Sequence, residues 1–457
     1  MKVSSRQYST VVLTFRAMAF TARKKLHALQ LAAVIFLTVS GGPYGLETLI
    51  NDVGANAALL LLVITPLLWD IPTIFVVLEL NSMMPVTGGY YQWVKRALGL
   101  RFAFYEGWWT WLYTFADLAI YPVLFVNYLS FFFPGAEDHK IIICLIVIWL
   151  SAGINIRGIV PVGRASIVLS VLVFIPFLLL FGWSFLNHHG HFVLPAQNLK
   201  HSSFSAVGLG LYTVMWNFIG WDNVTTYADE VSRPVRTYLR SVGMAFLLVL
   251  GIYLAATIIA LNEHIDPAIL ADKGFPALGE MIGGYGLGAI VALGGLASML
   301  GLFSAVLLSV SRIPKVMADD GLMPEKLHSL HPKFKSPYVS IICCAVVVSG
   351  MVLWDFGELL IIDITLYGGA LFLEYLALIR LRRLAPDEHR PFRIPLKIPG
   401  LIAMTLLPLT VYFIALGSAL RSSGASLRPL LFALAILFSA ELIWQVIVWR
   451  KKGKMNK

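Results

Sequence analysis

The sequence predicts an all-α polytopic membrane protein of about twelve transmembrane helices, arranged as an inverted five-plus-five repeat with broken helices 1 and 6. Three observations predict this. The chain of 457 residues is 58% hydrophobic and 13% charged, with a mean hydropathy of +0.79, whereas a soluble domain averages about 25% charged residues. Apolar runs of the ~20 residues needed to cross a bilayer core recur along the whole chain, with short polar breaks and no gap the size of a soluble domain. Two of these runs, five spans apart, are interrupted by glycine, proline and polar residues at mid-depth.

In chain order the runs fall at 29–51, 57–80, 102–133, 140–156, 160–186, 204–228, 239–262, 276–311, 338–356, 358–380, 399–420 and 428–449. The first five, about 29–186, form one repeat and the next five, about 204–380, the second. Two extra helices follow at about 399–449, and residues 1–28 and 450–457 are left as tails. The eighth run, from Phe275-Pro276, is expected to include a short extra helix outside the membrane. Basic residues precede the first run, as in a signal peptide, but no small-x-small cleavage site closes a short core. The run is therefore expected to be a retained first helix.

Orientation follows from charge. With the amino terminus inside, 30 of the 35 Lys and Arg residues fall in cytoplasmic segments, and only Lys140, Lys200, Lys273, Arg421 and Arg428 fall outside. The positive-inside rule is met at every loop pair, which places both tails in the cytoplasm. The net charge of +10 is thus a topology signal and gives no reason to expect nucleic acid as a partner. Cys144, Cys343 and Cys344 all lie within runs, so no disulfide framework, metal site or cofactor is expected.

Backbone groups in lipid must be satisfied internally, so a break inside a span means close packing or a protein-lined cavity. Span 1 holds Ser40-Gly41-Gly42-Pro43-Tyr44-Gly45, and span 6 holds Trp216-Asn217-Phe218-Ile219-Gly220-Trp221-Asp222. Unwound turns expose N–H groups on one half-helix and C=O groups on the other, suited to the anionic and cationic ends of a ligand. Matching breaks in two repeats make a midplane binding site.

Acids inside spans are costly and usually face a cavity or a partner. Glu47 lies just past the first break, Asp117 in the centre of span 3 with Tyr121 one turn on, and Asp222 at the end of the second break. No basic residue lies at comparable depth, so the site favours a cation, a proton or both. Trp216, Trp221 and Tyr121 are candidates for closing over a polymethylene chain or meeting ammonium groups through cation–π attraction. Glu79 and Glu374 lie toward cytoplasmic ends as gate or packing residues, while Asp70 and Asp363 have no assigned role. The segment Asn81 to Leu100 reads as an amphipathic helix on the inner face. Asn187-His188-His189-Gly190-His191 reads as an outer, solvated loop.

Several stretches together resemble the amino acid, polyamine and organocation transporter superfamily, and within it the plant and protist type of polyamine uptake transporter. They are Ser40 to Glu47; Gly88-Gly89-Tyr90 to Leu98-Gly99; Gly107-Trp108 through Asp117 to Tyr121-Pro122-Val123-Leu124; Trp216-Asn217 to Trp221-Asp222; Asp229-Glu230-Val231 to Arg233-Pro234 with Arg236-Thr237; and Arg390-Pro391-Phe392-Arg393-Ile394-Pro395. The resemblance covers nearly the whole chain. It implies a LeuT-like fold in which helices 1, 2, 6 and 7 rock against helices 3, 4, 8 and 9, with substrate at Gly41, Gly42, Trp216 and Asn217. It also implies an aromatic gate at Trp216 and a polyamine-branch acid at Asp117 and at Glu47. Two departures are visible: span 5 offers Arg164 and no deeper lysine, and span 2 carries Asp70 before Ile71-Pro72 instead of after it.

The function expected is secondary uptake of a polyamine such as putrescine or spermidine, coupled to protons through Glu47 or Asp117, across the plasma membrane or a bacterial inner membrane. The alternative is an amino acid permease, with the Gly41-Gly42 amides holding a carboxylate. A nutrient sensor is a third class, for which the short tails supply no signalling domain. No enzyme is expected, because neither His-Glu-x-x-His nor Gly-x-Ser-x-Gly occurs. The partners expected are the small-molecule substrate, protons and the lipid bilayer, with no obligatory protein partner.

Overall fold

Leucine, isoleucine, valine and alanine dominate the long runs, and in hydrocarbon such runs satisfy their backbone as helices. The computed structural model describes residues 28–196, 199, 202–228, 231, 234–421 and 427–455. Among them regular structure is helical, apart from one isolated bridge between Thr87 and Tyr227. The expected amino-terminal tail up to residue 27, Lys200, and the motif residues Asp229, Glu230 and Arg233 lie outside the described residues.

The first span is α1 (Ala28–Val39), an irregular turn, and the five-residue α2 (Leu49–Val53). The second combines α3 (Ala55–Thr65), a π-helical turn at Pro66–Asp70, and α4 (Ile71–Met83). Pro66 and Pro72 lack the N–H groups that an uninterrupted α-ladder would use, and the wider π turn takes up the register change. Then come α5 (Gly89–Leu98), α6 (Leu100–Ser130), α7 (Lys140–Ile156), α8 (Ile159–Asn187) and α9 (Phe204–Phe218). The second half of the described chain supplies α10 (Pro234–Asn262), α11 (Pro267–Val310), α12 (Ile313–Asp319), α13 (Tyr338–Met351), α14 (Phe356–Leu384), α15 (Ile398–Arg421) and α16 (Leu427–Met455).

Nine of these helical stretches among the described residues are long and apolar enough to cross a membrane, which makes the chain a multi-pass integral membrane protein. The expected spans that fall short are the broken first and sixth, and the ninth, whose α13 has only 14 residues. The extra helix expected before span 8 is present. α11 kinks at Gly274 and again at Gly283 and Gly284, leaving short helical segments ahead of the long apolar part. α16 runs to Met455, into the stretch expected as a tail.

α6 packs along α14 and α11 along α8, and these pairs hold the interior, with α1 wedged among α8, α10 and α11. One end of the bundle collects the basic loops. There α5 packs on α6 and α14 with Tyr90, Tyr91 and Trp93 fully buried. The amphipathic helix is therefore tucked under the bundle, with only its polar edge outward. Lys95 pairs with Asp320 at 2.6 Å and Arg96 with Glu388 at 2.8 Å. Beside it, buried Glu79 accepts hydrogen bonds from Arg382 Nε at 2.5 Å and Nη2 at 2.6 Å and from the Ile394 amide at 2.8 Å, with Arg390 at 3.3 Å. This clamp ties α4 to α14 and to the Arg390-to-Pro395 motif.

Candidate functional site

Both expected breaks are present and touch each other. After α1, Gly41, Gly42 and Gly45 all have positive φ, and the chain turns instead of spiralling. Alanine at Gly45 would be strained at φ 98°, and its Cβ would sit 2.5 Å from the Trp216 ring. The second break begins three residues later than Trp216: α9 continues through Trp216 and Asn217 to Phe218, Ile219 is extended, and Gly220 has φ 100°. A 3₁₀ turn at Asn223–Thr226 follows. Asn217 joins the breaks, donating from Nδ2 to Gly45 O at 3.3 Å and to Thr213 O at 2.9 Å. Tyr253 OH donates to Asn217 O at 2.8 Å.

The N–H groups of the first break are already in use. The Gly41 amide donates to Phe36 O at 3.0 Å and the Gly42 amide to Ser40 Oγ at 3.0 Å. The Gly45 amide donates to the carboxylate of Glu47. Ser298 on α11 caps Gly41 O, and Tyr44 OH donates to Val291 O at 2.6 Å, which fastens the break to α11.

Between the breaks lies a narrow, nearly closed cleft lined by Thr38, Val39, Ser40, Tyr121, Trp216, Asn217, Ile219 and Leu302. Asp117 stands directly behind this lining. Its Oδ1 accepts from Tyr121 OH at 2.6 Å and from Trp216 Nε1 at 3.2 Å. Asp363 on α14 lies within electrostatic reach of Asp117, and neither of its oxygens has a hydrogen-bond partner among the described residues. Trp216 forms a partition, with its indole against Gly45 and 5.8 Å from the Phe356 ring.

Beyond that partition is a second, larger cavity lined by residues including Gly45, Glu47, Tyr128, Lys273, Gly274 and Phe356. Tyr128 OH donates to Glu47 Oε1 at 2.7 Å. Glu47 therefore links the first break to α6 on the side of Trp216 away from Asp117. On the basic side of the central cavity, Asp222 accepts from Tyr367 OH at 3.2 Å and lies within electrostatic reach of Glu106 and Glu374. Trp221 is buried against Phe246, ring centroids 6.0 Å apart, close to Asp70.

The predicted residues are thus only partly gathered. Asp117, Tyr121, Trp216 and Asn217 meet at the central cavity or its wall. Gly41 sits beside Leu302 and Ser298 and Gly42 beside Val173 and Tyr44, outside its lining. Glu47 lies in the compartment on one side and Trp221 and Asp222 on the other. Asp363, left without a role by the sequence, and Glu106, not singled out there, belong to the same carboxylate array. The available signal was their depth inside apolar runs. None of the ion pairs found among the described residues involves Asp70, Glu106, Asp117, Asp222, Asp363 or Glu374. Among the described residues no group of His, Cys, Asp and Glu is placed to hold a metal ion.

A bundle whose spans open around a buried, carboxylate-backed cavity, with loops closing one end, is the architecture of a membrane transporter. The chain belongs to the amino acid permease family, whose profile matches residues 26–439, and this is a family of transporters, not of enzymes. The LeuT-like fold is that family's. The polyamine transporter RMV1 of Arabidopsis thaliana is 31% identical over 395 residues, covering 84% of this chain and 79% of its own length. A probable polyamine transporter of the same plant is 34% identical over 392 residues, covering 84% and 80%. The serine/threonine exchanger SteT of Bacillus subtilis is 24% identical over 370 residues, covering 76% and 80%.

Proposed function

We propose that the protein takes up polyamines, of the putrescine and spermidine class, by proton-coupled secondary transport. The observation that carries this reading is the mismatch at the centre. The first-break amides that an amino acid's carboxylate would need are bonded within the chain, one of them to Glu47. Asp117 and Asp363, by contrast, lie within electrostatic reach of one another with no lysine, arginine or histidine paired to either among the described residues. Two nearby carboxyls in low dielectric call for a cation, a proton or both, because an uncompensated buried charge is costly. A substrate with two amines and no carboxylate supplies the cation. The polyamine-transporting relatives support the same class.

On this proposal the chain crosses the plasma membrane, or the inner membrane of a bacterium, twelve times. Its two inverted repeats are followed by two further helices, and both termini are cytoplasmic. The basic end, sealed by α5, is then the cytoplasmic gate. Tyr121, Trp216 and Asn217 form the chamber around the substrate, Asp117 binds an ammonium group, and Trp216 closes the outer side. Glu47 is the coupling group. Protonating it removes the charged acceptor that joins Gly45 and Tyr128, so proton binding has a different free energy before and after the first break moves. That difference is what shifts an alternating-access equilibrium.

The test is uptake of labelled putrescine by purified protein in liposomes, with and without a pH gradient, in competition with spermidine, arginine and leucine. Uptake that is gradient-dependent and blocked by spermidine alone agrees with the proposal. Transport of arginine or leucine with no uptake of putrescine would replace it with an amino acid permease.

A further inference from the structure

The geometry points to a second, inner site for an ammonium group, formed by Glu106, Asp222 and Glu374, that receives the far amine of an extended tetraamine. It rests on the polyamine reading above and adds a length preference to it. α6 carries Glu106 and Asp117 eleven residues apart, and α14 carries Asp363 and Glu374 eleven residues apart. Eleven residues are close to three turns, so each pair returns to one helix face with a separation of ~16 Å. Asp363 lies in electrostatic reach of Asp117, and Glu374 of Glu106. The two helices, which pack along one another, therefore carry two facing tiers of carboxyls.

Between the tiers stand Tyr113 and Tyr367, their ring centroids 5.3 Å apart, with Tyr367 donating to Asp222. An independent feature marks the inner tier as a ligand site. Tyr90, on α5, is fully buried, lies in electrostatic reach of all three inner carboxyls, and its hydroxyl has no hydrogen-bond partner among the described residues. Oε2 of Glu106 is likewise without a partner there, and Glu374 has only the neighbouring carboxyl of Asp222 within hydrogen-bonding reach. A guest with several N–H donors and a positive charge satisfies these acceptors together. The arrangement does not suit a metal ion among the described residues.

Substrate length then decides which tiers are filled. A diamine of five backbone bonds reaches only ~6 Å, while an extended tetraamine of thirteen reaches ~16 Å, at ~1.25 Å of advance per ~1.5 Å bond. A diamine is confined to the tier of Asp117 and Asp363. Longer polyamines reach toward Asp222, and then Glu106 and Glu374.

The experiment is equilibrium binding of labelled putrescine and spermine to the purified full-length protein and to Glu374→Gln and Glu106→Gln, each checked for folding by thermal unfolding. Asp222→Asn serves if either variant is unfolded. The inner site predicts that each substitution weakens spermine binding at least about tenfold more than putrescine binding. Equal weakening of both ligands, or no weakening of either, overturns the inner site and leaves the central one intact. Failure of the unaltered protein to bind either polyamine removes the polyamine reading itself, and the inner site with it.

Discussion

Glu79 and Asp363 are both fully buried acids, one at the basic end and one in the middle of the bundle, and the chain treats them in opposite ways. Glu79 is held by Arg382 on both oxygens, with Arg390 and the Ile394 amide beside it. Asp363 has another carboxyl, Asp117, for its neighbour. A carboxylate that serves structure is given its own arginines, because breaking such a pair strands a charge. On the proposed function, carboxyls left without one in the interior are compensated by a substrate amine or a proton that comes and goes. On that reading the difference separates the part of the molecule that holds the fold from the part proposed to carry the transport.

The largest expected effect tests the first half of that comparison. Glu79→Gln leaves Arg382 and Arg390 buried without their acid and is expected to cost about 3–5 kcal/mol of stability, measured by thermal unfolding. Molecules that remain folded are expected to bind putrescine normally. Next, Asp117→Asn is expected to lower putrescine uptake per folded molecule by about 100-fold, the scale of losing one partner of a buried charge pair. Its unfolding temperature is expected to stay within a few degrees of the unaltered protein. If instead Asp117→Asn unfolds the protein as Glu79→Gln does, the two acids are alike and the comparison breaks.

Gly45→Ala sharpens the picture at the junction of the breaks. The substitution forces an L-residue into left-handed backbone, about 1–2 kcal/mol, and pushes the Trp216 ring away from its seat. It is expected to lower both unfolding temperature and uptake, read in the same two assays. Smallest is Arg96→Ala, which removes the exposed pair with Glu388. Surface pairs contribute roughly 0–1 kcal/mol, so its unfolding temperature is expected to shift by a degree or two, and much more would show that the basic-end loops act as a rigid gate.

Much of this architecture is legible in the amino-acid sequence. Apolar runs report helices directly, and Gly41, Gly42 and Gly45 announce a break that the structure contains. The sequence could not show that Trp216 closes over Gly45 and so parts Glu47 from Asp117. Nor could it show that Asp222 faces away from the central cavity, since depth along a span says nothing of azimuth around a bent helix. The π turn at Pro66–Asp70 was hidden as well, because two prolines in an apolar run fit a kink, a bulge or a plain helix. The role of Glu79 was visible only as an acid near a loop, since its arginines arrive from about 300 residues later in the chain.

The most direct measurement of the central claim is the stabilisation of purified protein by putrescine, followed as unfolding temperature against ligand concentration. A ligand at free concentration L that binds only the folded state stabilises it by RT ln(1 + L/Kd), so that temperature climbs with the logarithm of concentration once the ligand exceeds its Kd. The account predicts concentration-dependent stabilisation of the unaltered protein and of folded Glu79→Gln, with none for Asp117→Asn over the same range. Unchanged stabilisation of Asp117→Asn by putrescine would contradict it and remove the mid-membrane carboxylate from the site.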